Sequence, residues 1–343
     1  MKVFDFDPRD YGAAYRDDGY VHIREGMSRE FHAALVEYAE RELTSHKLDD
    51  FAIKGKKEQS LYDFPDEVDI GELYDVVCAT CGLDRANVTL SERHIQIYEG
   101  NAAPDPPAHK DRFPSQVSMG FSISIPAASR LVVYPYSHRE VNPFNTSAGL
   151  RRHLQPHELP EVALKEAREL VLDDADRDVV MFPGSTTWHL RRNAANALNL
   201  YLKFNDFGCD PLGEDPFTDG RRARTLAAVG DGGESAGTLV PVLSRRLDSV
   251  SRTATRDGWS EVLEARVFSE EPIGLTELQH EALTTLDGTE TIAALASRLA
   301  GAGDAADAAR QLLWLAEHGA IDLVDAPLSR AAAARLAEQR IAR

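Results

Sequence analysis

Two histidines and one aspartate are spaced so that they could hold a metal ion. The stretch PPAHKDRFP, residues 106–114, sets His109 and Asp111 two positions apart. The stretch DVVMFPGSTTWHLRRN, residues 178–193, carries a strand-like run through a Pro183-Gly184 turn to a third candidate, His189. On an extended segment, residues i and i+2 project to the same side. A His-x-Asp pair at a strand end can therefore offer an imidazole and a carboxylate to one ion. Two histidines and a carboxylate on one face of an octahedron leave three positions open, which is the ligand set of mononuclear iron(II) oxygenase sites. The 77 residues between Asp111 and His189 leave room for the strands that would have to lie between them. His138-Arg139-Glu140 is a competing His-x-acid, but it leaves only 48 residues before His189 and follows no comparable strand and loop. The set His109, Asp111 and His189 is preferred. The alternative, a polar loop without metal, stays open because a His-x-Asp arises often by chance.

Such ligands need strands to hold them, and from Val88 the chain supplies strand-like runs. RHIQIY (93–98), SMGFSISI (118–125), RLVVYP (130–135), ELVLD (169–173), DVVMFP (178–183) and NLYLKFN (199–205) are short and separated by turn residues. That pattern predicts a sandwich or barrel rather than a parallel α/β sheet. Residues 147–168 read as a polar, helical insertion. In the last run Asn199, Tyr201 and Lys203 alternate with Leu198, Leu200 and Leu202, so one face is polar and carries a cation able to meet a carboxylate. Ahead of the strands, residues 10–18 read as a helix ended by Gly19, and YVHIRE (20–25) as a strand. Ser28 caps a long helix, residues 50–67 read as a polar loop, and a further helix covers about 70–82. The Cys78-x-x-Cys81 pair lies in that last helix. With no second pair and no redox setting, it reads as two packed thiols.

The 343 residues allow one large domain or two unequal ones, and 43 % apolar residues suffice for a core. A net charge of −18 argues against nucleic acid as a partner. No apolar run reaches membrane-spanning length, the N-terminus lacks a signal-peptide pattern, and three cysteines fit a reducing compartment. The expected location is the cytoplasm.

Four stretches, in this order, resemble iron(II)/2-oxoglutarate-dependent dioxygenases of the phytanoyl-CoA dioxygenase type: YRDDGYVHIREGMSREFHAAL (15–35), RHIQIYEGNAAPDPPAHKD (93–111), RLVVYPYSHREVNPF (130–144) and DVVMFPGSTTWHLRRNAA (178–195). The resemblance spans about residues 10–207. It implies a mainly β fold, a double-stranded β-helix with flanking helices, in which His109, Asp111 and His189 bind Fe(II). It also implies 2-oxoglutarate and O2 as co-substrates and hydroxylation of a C–H bond as the reaction. The carboxylate of Asp111 separates the chain from related halogenases. Gln96, Tyr98 and Ser122 become candidate co-substrate or substrate contacts beside Asn199 and Lys203; their plain alternative is ordinary inward-facing residues. The chain departs from the family twice. Leu200 stands about where the family has an arginine, eleven residues after the distal histidine, so Lys203, or next Arg191 or Arg192, would replace it. PAASR (126–130) stands where the family has an acidic turn.

After about Gly208 the strand pattern stops. The expected organisation is an oxygenase domain over 1–212, a linker and connecting segment over 213–269, and a small helical, winged-helix-like domain over 270–343. Thr276-x-x-Gln279 is a candidate capping box, three helices end near Gly288, Gly301 and Gly319, and IDLVD (321–325) closes the module. With 12 acidic and 6 basic side chains, residues 270–343 do not suit DNA. They suit a protein contact or a homodimer, and LTTLDGTETIAALA (283–296) faintly resembles leader-peptide-binding modules of peptide-modifying enzymes. The expected substrate is a small amino-acid-like or natural-product molecule. The alternatives are a ribosomal peptide docked by the C-terminal module, or a metal-free binding or regulatory protein.

Overall fold

The alternation along the strand-like runs becomes two sheets with a dry layer between them. The computed structural model describes residues 1–45, 49–50, 55–59, 61–230, 236–254, 261–267 and 271–328, in two units, Met1–Gly208 and Cys209–Arg343. The first unit is mainly β with flanking helices. It runs α1 (Gly12–Asp18), β1 (Val21–Ile23), α2 (Arg29–Ser45), β2 (Asp49–Asp50), β3 (Lys56–Gln59) and α3 (Ile70–Cys81). It continues with β4 (Thr89–Tyr98), β5 (Val117–Ser124), β6 (Arg130–Tyr134), α4 (Ser147–His153), α5 (Pro160–Ala163), β7 (Leu170–Leu172), β8 (Val179–Phe182), β9 (Trp188–Arg192) and β10 (Leu198–Asn205). The larger sheet has the order β1-β8-β5-β10-β4-β3-β2 and the smaller β7-β6-β9, with every pairing antiparallel. An isolated bridge between His109 and His189 adds the clamp segment to the free side of β9. From β4 to β10 the chain passes back and forth between the two sheets, the winding of a double-stranded β-helix.

Period-two patterning decides what each sheet face meets. Leu200, Leu202, Phe204, Met119, Phe121 and Ile123 cover the outer face of the large sheet and pack against Phe31 and Leu35 of α2 and Leu73 and Val77 of α3. Burying each such side chain contributes roughly 1.5–3 kcal/mol. The inner faces close on a second cluster: Leu131 and Val133 from β6, Leu172 from β7, Val180 and Phe182 from β8, and Tyr201 from β10. The helix caps follow the sequence. Gly19 takes a left-handed φ of 75° after α1, Ser28 Oγ accepts from Phe31 N at 3.1 Å, and Asp69 Oδ1 accepts from Gly71 N at 2.9 Å. Both cysteines of Cys78-x-x-Cys81 sit at the end of α3 against this core. Burial pushes the Cys78 thiol up to about 11 and raises Cys81 further, the state of inert packed thiols.

Three expectations need correction. The supposed loop 50–67 contains β3, which pairs with β4 and extends the large sheet; its sequence KKEQ has no apolar alternation to betray it. Residues 147–168 form two short helices, α4 and α5, rather than one long one. The supposed linker is folded. The second unit begins at Cys209, and its first helix, α6 (Pro216–Gly230), occupies most of residues 213–237. There follow β11 (Val240–Leu243), β12 (Leu247–Ala254), β13 (Glu261–Val267), β14 (Ile273–Gly274), α7 (Glu277–Thr285), α8 (Ile292–Ala300), α9 (Ala305–Glu317) and β15 (Ile321–Val324). β11 pairs with β15, and β12-β13-β14 form a small sheet. Leu247, Ala265 and Val267 of β12 and β13 share one core with Leu283, Leu295, Leu312 and Leu315 of the three helices. The helices therefore have no boundary at 270. Among the described residues, no helix is long and apolar enough to cross a membrane.

The capping box of α7 is complete: Gln279 N donates to Thr276 Oγ1 at 3.2 Å, and Thr276 N donates to Gln279 Oε1 at 2.9 Å. Thr276 Oγ1 also donates to Gln311 Oε1 of α9 at 2.6 Å. Thr276→Ala is expected to cost about 1 kcal/mol, read as a lowered midpoint in chemical denaturation of the full chain.

Candidate metal centre

Strand pairing brings the three ligand candidates together. His109 N donates to His189 O, and His189 N to His109 O, both at 2.9 Å, so the clamp runs alongside β9. Asp111 N donates to Gly184 O at 3.0 Å, which fixes the clamp to the turn before β9. Asn142 Nδ2 donates to Asp111 O at 2.8 Å and holds the other side. The two imidazole rings lie 4.3 Å apart, and His189 Nε2 is 3.6 Å from Asp111 Oδ1. One donor atom from each of His109, Asp111 and His189 falls within 4.8 Å of the others, the one such cluster among the described residues. Donors about 2.1 Å from a shared ion, at right angles, would lie about 3 Å apart. A small closure therefore completes the set. His138 belongs to no such cluster; its carbonyl accepts from Lys110 Nζ at 2.6 Å.

The protonation states suit ligation. His189 Nδ1 lies 3.0 Å from Thr187 O, which can only accept, so that nitrogen carries the proton and Nε2 presents its lone pair. His109 Nδ1 is buried and meets no hydrogen-bond partner. Burial, with His189 and Lys56 adding to it, holds the His109 imidazole well below its usual range, hence neutral. For Asp111, burial pushes the carboxyl up, but Lys203, His189 and His109 together hold it well below the usual carboxylate range. A neutral imidazole and an ionised carboxylate are what a metal requires. Gly184 completes the fit. A Cβ there would lie 2.5 Å from Asp111 Oδ2 and overlap Ser118 Oγ, so this cradle exists only because residue 184 is glycine.

The inner face of the large sheet is arranged in rows. Gln96, Asn199 and Ser122 stand side by side on β4, β10 and β5. The next row is His94, Tyr201, Gly120 and Val180, and the next Glu92, Lys203, Ser118 and Phe182. Gly120 makes room for the Tyr201 ring, since a Cβ there would lie 2.8 Å from Tyr201 Cε1. Tyr98 lies at the far end of β4, packed with Ala194 and Ala197. The sequence-derived candidates Gln96, Asn199, Ser122, Tyr201 and Lys203 thus share a surface.

Their partners differ from expectation. Lys203 Nζ is ion-paired to Asp111 Oδ2, and Ser118 Oγ donates to the same oxygen at 2.5 Å. Lys203 therefore holds the ligand carboxylate instead of standing apart as a free cation. Ser122 Oγ donates to Asp174 Oδ2 at 2.7 Å. Leu200 points into the outer core, away from the metal cluster. Sequence reasoning passed over a buried pair: Arg191 Nη1 and Nη2 donate to Asp174 Oδ1 and Oδ2 at 3.1 and 2.8 Å. Arg192, its neighbour, faces outward to Asp105 and Glu169. Lys110 and Arg112 are not the solvated flanks their types suggest. Lys110 is buried under Trp188, donates to the carbonyls of His138 and Glu140, and has its ammonium pulled down to about 8 by burial. Arg112 Nε pairs with Glu92 Oε1 at 2.8 Å.

No protein-family model matches the chain, and no curated protein matches it. Several solved structures are similar to part of it. The non-haem α-ketoglutarate-dependent carbocyclase SnoK from nogalamycin biosynthesis is 15 % identical, with a TM-score of 0.45 over 59 % of this chain and 85 % of that one. The epimerase SnoN from the same biosynthesis, in complex with Fe3+, α-ketoglutarate and nogalamycin RO, is 16 % identical, with a TM-score of 0.44 over 59 % and 84 %. HygX from Streptomyces hygroscopicus, with nickel, 2-oxoglutarate and hygromycin B bound, is 10 % identical, with a TM-score of 0.40 over 59 % and 87 %.

Proposed function

We propose that the first unit is a non-haem iron(II)/2-oxoglutarate-dependent oxygenase that hydroxylates a C–H bond of a small amino-acid-like or natural-product substrate. The observation that carries this reading is the His109, Asp111 and His189 cluster, with its ligand-ready protonation and the glycine cradle behind the carboxylate. Iron(II) held there would bind the oxo acid and O2 and supply the oxidising chemistry. The residues of the chain do the rest. Thr187 O fixes the His189 tautomer. Lys203 and Ser118 occupy Asp111 Oδ2 and leave Oδ1 facing His189. Phe182 packs its ring 4.8 Å from His189, and Val133 lies opposite it on β6, so this side of the site is apolar and excludes water. Gln96, Asn199, Ser122 and Tyr98 line the co-substrate side in this reading. The acidic charge and the three free thiols support action in the cytoplasm and no nucleic-acid partner.

The second unit supports a further reading of the substrate. Its three helices, with the β11–β15 pair and the small sheet, fit a winged-helix-like module, and β12 is paired only with β13 among the described residues. An extended peptide can add to such an edge. In this reading the oxidised group belongs to a ribosomal peptide docked there; a second copy of the chain is the alternative occupant. A chain ending at Gly208 would then lose turnover of the peptide and keep that of a small molecule.

The decisive experiment is anaerobic titration with iron(II) and 2-oxoglutarate, followed by visible absorption. The wild type is expected to develop the weak charge-transfer band of an iron–oxo-acid chelate, and His109→Ala to lose it. A wild-type chain that binds no iron would leave the metal-free binding protein as the answer.

A further inference from the structure

The oxygenase reading requires a cation for the far carboxylate of the co-substrate, and the two positions that sequence favours are taken. Leu200 faces the outer core, and Lys203 is bound to Asp111. Arg191 is different. His189 stands opposite Val133 and Arg191 opposite Leu131, so both project from β9 toward the inner cluster that holds Leu131 and Val133. Two strand residues separate Cα atoms by about 6.6 Å. Four C–C bonds of about 1.52 Å make a five-carbon dicarboxylic acid about 5 Å from end to end. An acid ligated beside His189 and extending along β9 therefore ends near Arg191.

A second observation lies on the same patch. Asn199 is 1 % exposed, and its Nδ2 has no hydrogen-bond partner. A buried amide donor left unmet is costly unless a ligand meets it. Asn199 sits opposite Ser122, whose hydroxyl donates to Asp174, the carboxylate that carries Arg191. Asp174 and Ser129 Oγ engage three of the five N–H groups of the guanidinium. Tyr201 lies against it as well. We propose that Arg191 and Asn199 bind the far carboxylate of a five-carbon dicarboxylic oxo acid, with Arg191 replacing the cation absent at Leu200. Asp174 holds the guanidinium in place and Arg191 selects against oxo acids that lack the second carboxylate. This rests on the oxygenase reading above.

The test uses the full chain loaded with Mn(II) and titrated calorimetrically with 2-oxoglutarate and, separately, with pyruvate, which has no far carboxylate. Arg191→Gln is expected to bind 2-oxoglutarate ~100-fold more weakly, with Mn(II) and pyruvate affinities unchanged. Asn199→Leu removes a donor that has no protein partner, so it should fold normally. It is expected to weaken 2-oxoglutarate ~10-fold and leave pyruvate unchanged. Wild-type affinity for 2-oxoglutarate in Asn199→Leu and Arg191→Gln, with loss in Lys203→Met, would assign the role to Lys203 and overturn the proposal. A wild-type chain that takes no Mn(II) overturns the metal site itself, before any oxo acid is added.

Discussion

Gly184→Ala is expected to weaken metal binding ~100-fold, although residue 184 offers no ligand. The added Cβ would occupy the place of Ser118 Oγ and lie 2.5 Å from Asp111 Oδ2 and 3.1 Å from Ser115 O. None of these atoms is the loose end of a long side chain. Asp111 Oδ2 is held by Lys203 and by Ser118, and Ser115 O accepts from Ser185 N at 2.7 Å. The carboxylate must therefore rotate, and Oδ1 leaves its position beside His189. The fold should survive, since overpacking of this kind costs about 1–3 kcal/mol. Titration with Co(II) and a thermal melt on the same samples separate the two effects. Adding Ser118→Ala removes the atom that the Cβ overlaps most, so the double variant is expected to regain part of the affinity. Wild-type metal affinity in Gly184→Ala would show that the carboxylate is not where the ion sits.

The ligand set was legible because its signals are local. A His-x-Asp after a strand and a histidine after a strand and a Pro-Gly turn need only period two and turn chemistry to interpret. The polar face of β10 was legible for the same reason. The partners of those residues were not. Lys203 reads as a free cation until the β10–β5 register places it beside Ser118, and Ser118 beside Asp111. Arg191-Arg192 and Asp173-Asp174 read as charged, solvated doublets. Alternation sends one member of each inward, to each other, and the other outward: Arg192 meets Asp105 and Glu169, and Asp173 meets Arg24. Helix α6 was hidden by its composition, with glycine and arginine through PFTDGRRARTLAAVG. Its start carried a usable signal in Asp215-Pro216. Asp215 Oδ1 accepts from Phe217 N at 2.8 Å and from Thr218 N at 3.1 Å, a cap followed by proline in the first turn.

The Asp174–Arg191 pair sets the other large effect. Its side chains are 0 % and 3 % exposed, and the contact is bidentate, with Ser122 donating to the same carboxylate. Asp174→Ala would leave a guanidinium inside the protein without a counter-charge, and an uncompensated buried charge costs about 3–5 kcal/mol. Replacing both partners, as Asp174→Leu with Arg191→Leu, removes both charges together and should cost much less. The pH dependence has a definite sign. Burial pushes the Asp174 carboxyl up, but Arg191 and Ser122 bring it below 3.8 on balance. A group depressed in the folded state contributes stability that is fully present above its unfolded pKa and is lost as pH falls through the folded one. The gap between wild type and Asp174→Ala is therefore expected to hold steady at neutral pH and to narrow only as pH falls below about 4. Urea denaturation at pH 7 and at a series of acidic values reads both. A loss under about 1 kcal/mol at pH 7, the range of an exposed ion pair, would mean that water reaches Arg191. The apolar wall between the sheets would then not be dry on the side where the co-substrate is proposed to lie.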